Sequence, residues 1–319
     1  MPPRKIALEE AFIIPAFKDR EQAMEAYINP KWGAYVKERL ADLTDRRLED
    51  MDSAGIDVQV LSLTVPGIQG MTDTVAAIST AKQANDFVAE VVSKYPTRFA
   101  AFAALPCQDP AAAVAELKRA VNELGLCGAL INGHTNGVYL DDQKFWGLWE
   151  LSESLQVPIY IYSIDPPTPF ACCRGYPLQG ATFGWAFETG THALRVILSG
   201  VFDRFPGARL MIGHMGEFLP FSLMRIDDRY DFYQAHPVIT HPPSYYVKSN
   251  LLVTTSGVND TAPLLCAISV MGVERILFAV DYPYQFNEPA VGFIDTAPIS
   301  DHDRDLICHG NAERILKLR

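Results

Sequence analysis

The apolar residues of the chain fall into short runs, each bounded by turn-forming residues. Runs of this length, rich in β-branched and apolar residues, predict strands that are covered on both faces, as in a parallel sheet. The predicted strands are Lys5–Ala11, Val58–Thr64, Phe99–Leu105, Gly128–Gly133, Pro158–Ser163, Arg209–Gly216, Leu251–Gly257 and Ile276–Pro283.

Between most of these strands, apolar residues recur at helical spacing. Asp109 followed by Pro110 is typical of a helix start, because a carboxylate accepts free N–H groups and proline suits the first turn. The predicted helices are Val75–Tyr95, Pro110–Leu124, Asp142–Leu155, Ala186–Phe205, Phe218–Ala235 and Ala262–Met271, with a closing helix near Asp301–Lys317. Strands that alternate with helices in this way predict an α/β fold, a (β/α)8 TIM-like barrel formed by a single domain over residues 1–319.

Two stretches are longer than a simple connection between a strand and a helix. Phe12–Asp57 contains a helical patch, and Ile164–Trp185 is rich in proline, glycine and aromatic residues without a clear period. Connections this long are usually functional, so we predict that both cover the barrel mouth, the face at the carboxyl ends of the strands. These stretches and the residues just after the last predicted strand carry five aromatic residues, Trp32, Phe183, Trp185, Tyr284 and Phe286. They could bind a planar ring of the substrate, and the alternative is that they only cap the barrel.

The net charge of the 319-residue chain is -11, and no run of basic residues exceeds two. Binding to phosphate backbones needs clustered Lys and Arg, so the charge argues against nucleic acid and anionic membranes and favours a small-molecule partner. The start of the chain does not resemble a secretory signal, and no stretch of about 20 apolar residues occurs. These features predict a cytoplasmic protein.

Polar residues stand at the carboxyl ends of the predicted strands, which converge at one mouth in a barrel. They are Glu9, Asn132, Tyr162, Ser163, His214, Glu217, Ser256 and Asp281. Two carboxylates and a histidine at such ends suit a divalent cation, and a hydrogen-bonded network that closes the barrel is the alternative. Asp281 is the most specific of them, because a carboxylate at the end of the apolar run Ile276–Val280 is costly to bury without a partner. In the first strand, alternation predicts that Glu9 and Glu10 point to opposite faces.

Two histidines differ in their expected roles. His214 follows an apolar strand at the mouth, which makes it a candidate general acid or base, with a buried histidine bonded to the backbone as the alternative. His192 lies within the helical run Thr191–Leu198, where a core position is favoured over a place behind the site.

Nine short segments spread along the chain carry a resemblance to a known family. They are IALEEAF (6–12), GALING (128–133), WAF (185–187) leading into HALR (192–195), IGHMGE (212–217), TTSG (254–257), RILF (275–278) with DYP (281–283), and GNA (310–312). Together, in order from about residue 5 to residue 318, they resemble the amidohydrolase-related aromatic acid decarboxylases. These include γ-resorcylate, 2,3-dihydroxybenzoate and salicylate decarboxylases.

The resemblance implies a (β/α)8 barrel that uses one divalent metal ion, zinc, manganese or magnesium, and no organic cofactor. It implies that Glu9 and Asp281 are metal ligands. It further implies that His214 is the acid/base histidine beside the ion and that Glu217 orients it. Asn132 would line the substrate pocket. Members of the family are commonly homodimers or homotetramers.

The fifth strand departs from the family pattern. The resemblance predicts a metal-binding histidine at its end, whereas VPIYI (157–161) is followed by Tyr162. Altering a residue that only supports a metal ligand typically lowers the metal affinity by roughly 10–100-fold. Losing an imidazole that binds the metal directly should lower the affinity by at least as much. Tyr162 could coordinate as a phenolate, if a dication lowers its pKa from about 10, or as a weak neutral ligand. His214 could be drawn into coordination instead, and a site without metal is the remaining possibility.

These residues lead to one favoured function and two alternatives. The resemblance implies a non-oxidative decarboxylase, a carbon–carbon lyase, in which a phenolic or related aromatic acid binds the metal and His214 protonates the ring carbon. The second hypothesis is a metal-independent dehydratase, cyclase, isomerase or hydrolase that acts on a polyphenolic or polyketide-like substrate through His214, Asp281 and Tyr162. The third is a binding barrel without catalytic activity.

Overall fold

The computed structural model describes residues 3–20, 29–233 and 238–318. Its strands are β1 (Ile6–Phe12), β2 (Val58–Leu63), β3 (Phe99–Ala101), β4 (Ala129–Asn132), β5 (Ile159–Tyr162), β6 (Leu210–Ile212), β7 (Leu251–Thr254) and β8 (Ile276–Leu277). Each of them overlaps a predicted strand, so the strand predictions are confirmed, although most strands are shorter than predicted.

The strands pair in parallel as two sheets, ordered β1-β2-β3 and β4-β5-β6-β7-β8. Two isolated parallel bridges join the edges of these sheets, one between Ala103 and Ala129 and one between Leu8 and Ala279. The N–H of Leu8 also donates to the carbonyl of Phe278 across the second seam (3.1 Å). The strands therefore follow the order of the predicted (β/α)8 barrel.

Side chains on the strands alternate between the barrel interior and the layer beneath the helices. On β5, Tyr160 and Tyr162 belong to the interior cluster, whereas Ile159 and Ile161 belong to the larger outer cluster. This period of two is what a strand imposes on its side chains. Ile315, near the end of the chain, joins the interior cluster and packs at the amino-terminal end of the barrel.

The helices surround the strands in the order that the sequence predicts. They are α1 (Pro30–Ala41), α2 (Asp45–Ala54), α3 (Thr74–Lys94), α4 (Pro110–Asn122), α5 (Trp146–Leu155), α6 (Gly184–Leu198), α7 (Val201–Arg204), α8 (Leu219–Tyr233), α9 (Pro243–Ser249), α10 (Thr261–Met271), α11 (Asn287–Thr296), α12 (Asp301–Asp305) and α13 (Asn311–Leu316). The Asp109 carboxylate caps α4 as predicted, since it accepts hydrogen bonds from the N–H groups of Ala111 and Ala112.

Three predicted helices differ in detail. The predicted helix Ala186–Phe205 is divided between α6 and α7 at Gly200, whose φ of 83° lies in the left-handed region that ends helices. The predicted closing helix contains a π-helical turn at Leu306–Gly310. The predicted helix Phe218–Ala235 corresponds to α8, and Ala235 lies outside the described residues.

The long stretch Phe12–Asp57, in which the sequence indicated a helical patch, holds the two helices α1 and α2. Trp32 and Tyr35 of α1 pack edge-on against Phe286, with ring centroids 5.3 and 5.1 Å away. Because Phe286 follows β8, this helix lies beside the barrel mouth, as predicted. In Ile164–Trp185, all of it described, 3₁₀ turns precede the start of α6.

The sequence prediction omitted α9 and α11. Both carry a proline in the first turn, Pro243 in α9 and Pro289 in α11. Proline is compatible with the first helical turn because the N–H groups there have no partner inside the helix. A proline in the first turn is therefore consistent with both short helices, which the sequence prediction did not include.

Glu10 fastens the last strand of the barrel to the first from the outer side. Its buried carboxylate accepts hydrogen bonds from Gln59 Nε2 (3.3 Å) and from the backbone N–H groups of Val280 (3.0 Å) and Tyr282 (3.3 Å). Those two N–H groups lie on either side of Asp281. Glu10 therefore points away from the interior, as alternation predicts, and fixes the backbone that carries Asp281.

Replacing Glu10 by alanine should lower the free energy of unfolding by about 2–5 kcal/mol, because buried N–H groups would lose their acceptor. Urea denaturation of Glu10→Ala measures this change. The exposed Glu49, which bonds Arg46 at the surface, provides the matched control, and Glu49→Ala should change stability by less than about 1 kcal/mol. A Glu10→Ala protein as stable as the Glu49→Ala protein would contradict the anchoring role.

Candidate metal and catalytic site

Three side chains from three strand ends meet at the barrel mouth. Nε2 of His214 lies 4.0 Å from Oε1 of Glu9 and 3.8 Å from Oδ2 of Asp281. The possible ligand atoms of these residues all lie within 4.8 Å of one another. Among the residues that the structure describes, this is the one such group of His, Cys, Asp or Glu side chains. We call Glu9, His214 and Asp281 the mouth cluster.

The backbone is strained at every residue of the mouth cluster. The φ angle is 67° at Glu9, 48° at His214 and 76° at Asp281, a region that residues other than glycine seldom adopt. In β1 the register against β2 also shifts next to Glu9, between Ala7 and Glu10. Such conformations cost on the order of 1–3 kcal/mol each and persist where the surrounding contacts enforce them. Their concentration here is typical of a functional site.

Hydrogen bonds fix one oxygen of the Glu9 carboxylate and leave the other free. Oε2 accepts from the hydroxyl groups of Thr254 (2.8 Å) and Tyr160. Oε1 has no hydrogen-bond partner among residues 3–20, 29–233 and 238–318, although it is buried. Gly213 leaves room for this carboxylate, because a Cβ at that position would lie 2.6 Å from Oε1. Burial raises the pKa of Glu9 to about 7, against the opposing effect of His214.

His214 is oriented through its ring and through its backbone. Its Nδ1 lies 2.8 Å from Oε1 of Glu217, and its backbone N–H donates to Ser256 Oγ (3.0 Å). Burial lowers the pKa of the imidazole, but the charges of Glu217 and Glu9 outweigh that effect and raise the pKa well above its usual value. These charges therefore favour the protonated ring, with Nδ1–H donating to Glu217 and Nε2 directed toward the two other members of the cluster.

Tyr162 lies beside Asp281 at the end of β5. Its hydroxyl donates to Asp281 Oδ1 (2.8 Å), while Oδ2 of the same carboxylate lies toward His214. Burial and the charges of Asp281 and Glu9 raise the pKa of the phenol well above its usual value. Tyr162 therefore acts here as a neutral donor that orients Asp281, and metal coordination by its oxygen stays a prediction.

The mouth cluster suits a divalent cation. It offers an unpaired carboxylate oxygen of Glu9 and a carboxylate oxygen of Asp281, and Nε2 of His214 is a third possible ligand when the ring is neutral. Carboxylate oxygens suit magnesium and manganese, and an imidazole extends the set to zinc. A dication would also provide the positive charge that stabilises a buried Glu9 carboxylate. The residues present therefore fit the ion that the sequence predicts.

Two predicted substrate-binding residues stand close to Tyr162. Asn132 pairs with Tyr162 across β4 and β5, and its Oδ1 is buried without a hydrogen-bond partner in the described part of the chain. The hydroxyl of Tyr284 lies 2.5 Å from Thr64 Oγ1, and its proximity contributes to the raised pKa of Tyr162. Both residues therefore lie at the mouth.

The two other predicted substrate-binding residues, Phe183 and Trp185, stand at the start of α6. Phe183 is about half exposed and packs against Phe218, the neighbour of Glu217, with ring centroids 6.0 Å apart. Trp185 donates through Nε1 to Asp165 Oδ1 (2.6 Å). Phe183 therefore lies on the rim of the mouth, whereas Trp185 packs against the interior cluster, and substrate binding by either residue stays a prediction.

His192 is a core residue, as predicted. Its Nε2 accepts a hydrogen bond from the N–H of Leu140 (2.9 Å), and its ring packs edge-on against Tyr139. Burial lowers its pKa to about 3, so the ring is neutral. It supports the connection after β4 rather than the mouth cluster.

Sequence reasoning missed Tyr160 and Thr254, the two residues that bind Glu9 Oε2. Both could have been found by alternation, because Tyr160 is two residues before Tyr162 and Thr254 is two residues before Ser256. Polar groups on the interior face of a barrel strand need partners. The Glu9 carboxylate is the partner that they share.

Comparisons with known proteins agree with this geometry. Residues 17–318 match the model of the amidohydrolase family. γ-Resorcylate decarboxylase of Polaromonas sp. is 40% identical over 324 residues, which cover 98% of each chain. A solved structure of dihydroxybenzoic acid decarboxylase from Polaromonas sp., with bound manganese and the inhibitor 2-nitroresorcinol, has a TM-score of 0.91 and 39% identity, and covers 100% of this chain and 98% of that chain. For 5-carboxyvanillate decarboxylase from Sphingomonas paucimobilis the TM-score is 0.93 and the identity 38%, with 99% of each chain covered.

Replacing Thr254 by valine should lower the affinity for Mn²⁺ by about 10–100-fold, because the Glu9 carboxylate would lose one of the donors that orient it. Valine has nearly the shape of threonine, so the fold should persist. Isothermal titration calorimetry with Mn²⁺ measures the change. Thr296→Val, at an exposed helix position, is the matched control and should bind Mn²⁺ like the wild type. Equal affinities in the two variants would contradict the orienting role of Thr254.

Proposed function

The chain belongs to the amidohydrolase family, and we propose that it is a non-oxidative decarboxylase of phenolic or related aromatic carboxylic acids, assisted by one divalent metal ion. The observation that carries this proposal is the mouth cluster, in which a free carboxylate oxygen of Glu9 faces His214 and Asp281. The similarity to γ-resorcylate and 5-carboxyvanillate decarboxylases supports it over nearly the whole chain.

Glu9 and Asp281 would hold the ion through their carboxylates. A bound dication supplies an electrostatic anchor for the carboxylate and the neighbouring phenol oxygen of the acid. Manganese is the ion bound by the similar Polaromonas protein, and the oxygen-rich donor set of this chain suits manganese, magnesium or zinc. No organic cofactor is needed for this chemistry.

His214 would act as the general acid. Nε2 faces the mouth and would carry the proton, because the charges of Glu217 and Glu9 favour the protonated ring. Transfer of this proton to the ring carbon that bears the carboxylate interrupts the aromatic system. The carbon–carbon bond then breaks, its electron pair returns to the ring, and carbon dioxide leaves. The neutral His214 regains a proton from water, so the reaction replaces the carboxyl group by hydrogen.

The remaining residues of the mouth would position the acid. Tyr162 orients Asp281, and the unpaired Oδ1 of Asn132 is available to accept a hydrogen bond from a phenol. Phe183 and Trp185 would cover the face of the ring, a packing that aromatic side chains favour. Holding the ring with its carboxylate-bearing carbon beside Nε2 is the orientation that proton transfer needs.

A metal-independent acid/base enzyme is the second candidate, and one observation favours it. Tyr162 keeps its proton and lies against Asp281, so Tyr162, Asp281 and His214 could move protons on a polyphenolic substrate without an ion. The free oxygen of Glu9 and the full-length similarity to decarboxylases favour the metal-assisted reaction.

We expect the protein to form homodimers or homotetramers, as the sequence resemblance implies. Two apolar side chains three residues apart on α8 support this, since Phe221 is 86% exposed and Met224 is 82% exposed. No helix among the described residues is long and apolar enough to cross a membrane. A cytoplasmic location stays a prediction.

Purified protein incubated with γ-resorcylate (2,6-dihydroxybenzoate) should release carbon dioxide, lose this activity on chelation and regain it with Mn²⁺. His214→Ala should lower kcat by about 10²–10⁴-fold, the contribution typical of a general acid, while its metal content stays that of the wild type. His302→Ala, at an exposed position, is the control. Loss of metal together with activity in His214→Ala would make His214 a ligand, and an active protein free of metal would favour the metal-independent alternative.

Replacing Tyr162 by histidine should raise the affinity for Zn²⁺, because an imidazole at the end of β5 would add a ligand where a neutral phenol now bonds Asp281. A competition titration against a zinc-binding dye measures the affinity. Tyr162→Phe removes the hydroxyl without adding a ligand, and we expect its affinity to fall below that of the wild type. Unchanged affinity in Tyr162→His would mean that residue 162 does not reach the ion.

A further inference from the structure

A pocket of about 230 Å³ lies at the end of the barrel opposite the mouth. Arg209, Ser249 and Arg275 line it, and these residues come just before β6, β7 and β8 in the chain. Ile315, which closes the amino-terminal end of the interior, forms another part of its wall. Pockets for drug-sized ligands measure roughly 300–1,000 Å³, so this one suits a smaller occupant.

Positive charge dominates the lining of this pocket. Arg209, Arg275 and Arg314 line it, and Glu274 is the carboxylate among the same lining residues. The chain as a whole carries a net charge of -11, so the positive charge around this small space is opposite in sign to that of the whole protein. We call this space the arginine pocket.

Backbone carbonyls, rather than carboxylates, hold two of these arginines. Nη1 of Arg275 donates to the carbonyl of Ser249 (2.5 Å), and Nη2 of Arg314 donates to the carbonyl of Glu274 (2.8 Å). These bonds fix the guanidinium groups without neutralising them. Within residues 3–20, 29–233 and 238–318, none of the three arginines forms a salt bridge. The positive charges are therefore held in place without an ionic partner.

Several arginines elsewhere in the molecule do have such partners. Arg119 lies 2.7 Å from Asp86, and Arg195 lies 2.8 Å from Asp141. The contrast matters because like charges in one partly buried space repel. The arginine pocket therefore differs from the ordinary ion-paired surface of this protein.

This repulsion contributes to a lowered pKa at two of the guanidinium groups. Burial and the charge of Arg314 lower the pKa of Arg209. Burial, followed by the charges of Arg209 and Arg314, lowers the pKa of Arg275, and Glu274 offsets only part of this effect. An anion between these groups would relieve both the desolvation and the repulsion.

We propose that the arginine pocket binds a small, doubly charged oxyanion of the phosphate type. Guanidinium groups present planar pairs of N–H donors that match the oxygens of such an ion, and Arg209 donates no side-chain hydrogen bond to any described residue. Three arginines and one glutamate give the lining a net charge of +2. An ion with two negative charges balances this charge, whereas a single carboxylate does not. The size of the pocket fits an ion or a small phosphorylated molecule.

This site is separate from the proposed decarboxylation. Arg209 and His214 stand at opposite ends of β6, and Arg275 and Asp281 stand on either side of the short strand β8. An anion at the arginine pocket would hold together the starts of β6, β7 and β8. It would therefore stabilise the folded barrel in proportion to its binding.

Isothermal titration calorimetry with inorganic phosphate, at an ionic strength held constant with sodium chloride, tests the proposal. Wild-type protein should bind one phosphate per chain. Arg314→Gln, at an exposed position that should not affect folding, and Arg209→Gln should each bind phosphate at least about tenfold more weakly, because a charge-assisted pair is lost. Arg46→Gln, which removes an exposed arginine from α2, should leave the affinity unchanged.

His214→Ala distinguishes this site from binding of phosphate at the mouth. Phosphate binding that persists in His214→Ala and weakens in both pocket variants supports the proposal. Wild-type affinity in Arg209→Gln and Arg314→Gln, binding lost only in His214→Ala, or phosphate bound no more tightly than chloride would each overturn it. A parallel titration with glycerol 3-phosphate separates a free ion from a phosphorylated molecule as the preferred occupant, and tighter binding of either supports the site.

Discussion

The buried carboxylate of Glu9 is the constraint on which the mouth of this barrel depends. Tyr160 and Thr254 hold one of its oxygens, and Gly213 leaves space for the other, which stays without a partner in the described structure. A carboxylate buried in this way is unfavourable unless a positive charge stabilises it. His214 provides one such charge, and the site as a whole suits a dication.

The adjacent residue Glu10 shows how the barrel supports this arrangement. Where Glu9 faces the interior, Glu10 faces the outer layer and binds the N–H groups on both sides of Asp281. Two neighbouring carboxylates therefore fix the site from opposite sides of β1. The strained backbone of Glu9 and Asp281 persists because these contacts, made across the seam of the barrel, outweigh its cost.

The two ends of the barrel carry opposite charges. Carboxylates gather at the mouth, whereas arginines gather around the pocket at the amino-terminal ends of β6, β7 and β8. A cation suits the first site and an anion the second, for the same reason: a partly buried group of like charges is stabilised by a counter-ion. Only the three-residue strand β6 and Gly213 separate Arg209 of the arginine pocket from His214 of the mouth cluster along the chain.

The sequence by itself determined the strand order, the barrel and the residues at the strand ends. Local apolar runs and capping residues carry that information, which is why Glu9, His214 and Asp281 could be named before their positions were known. Only the tertiary structure decided that Tyr160 and Thr254 orient Glu9, that Tyr162 bonds Asp281 and that three arginines share one pocket. Alternation can place Thr254 on the interior face of its strand, but it does not identify Glu9, 245 residues away, as the partner of its hydroxyl. Such contacts exist because closing the barrel brings distant strands side by side.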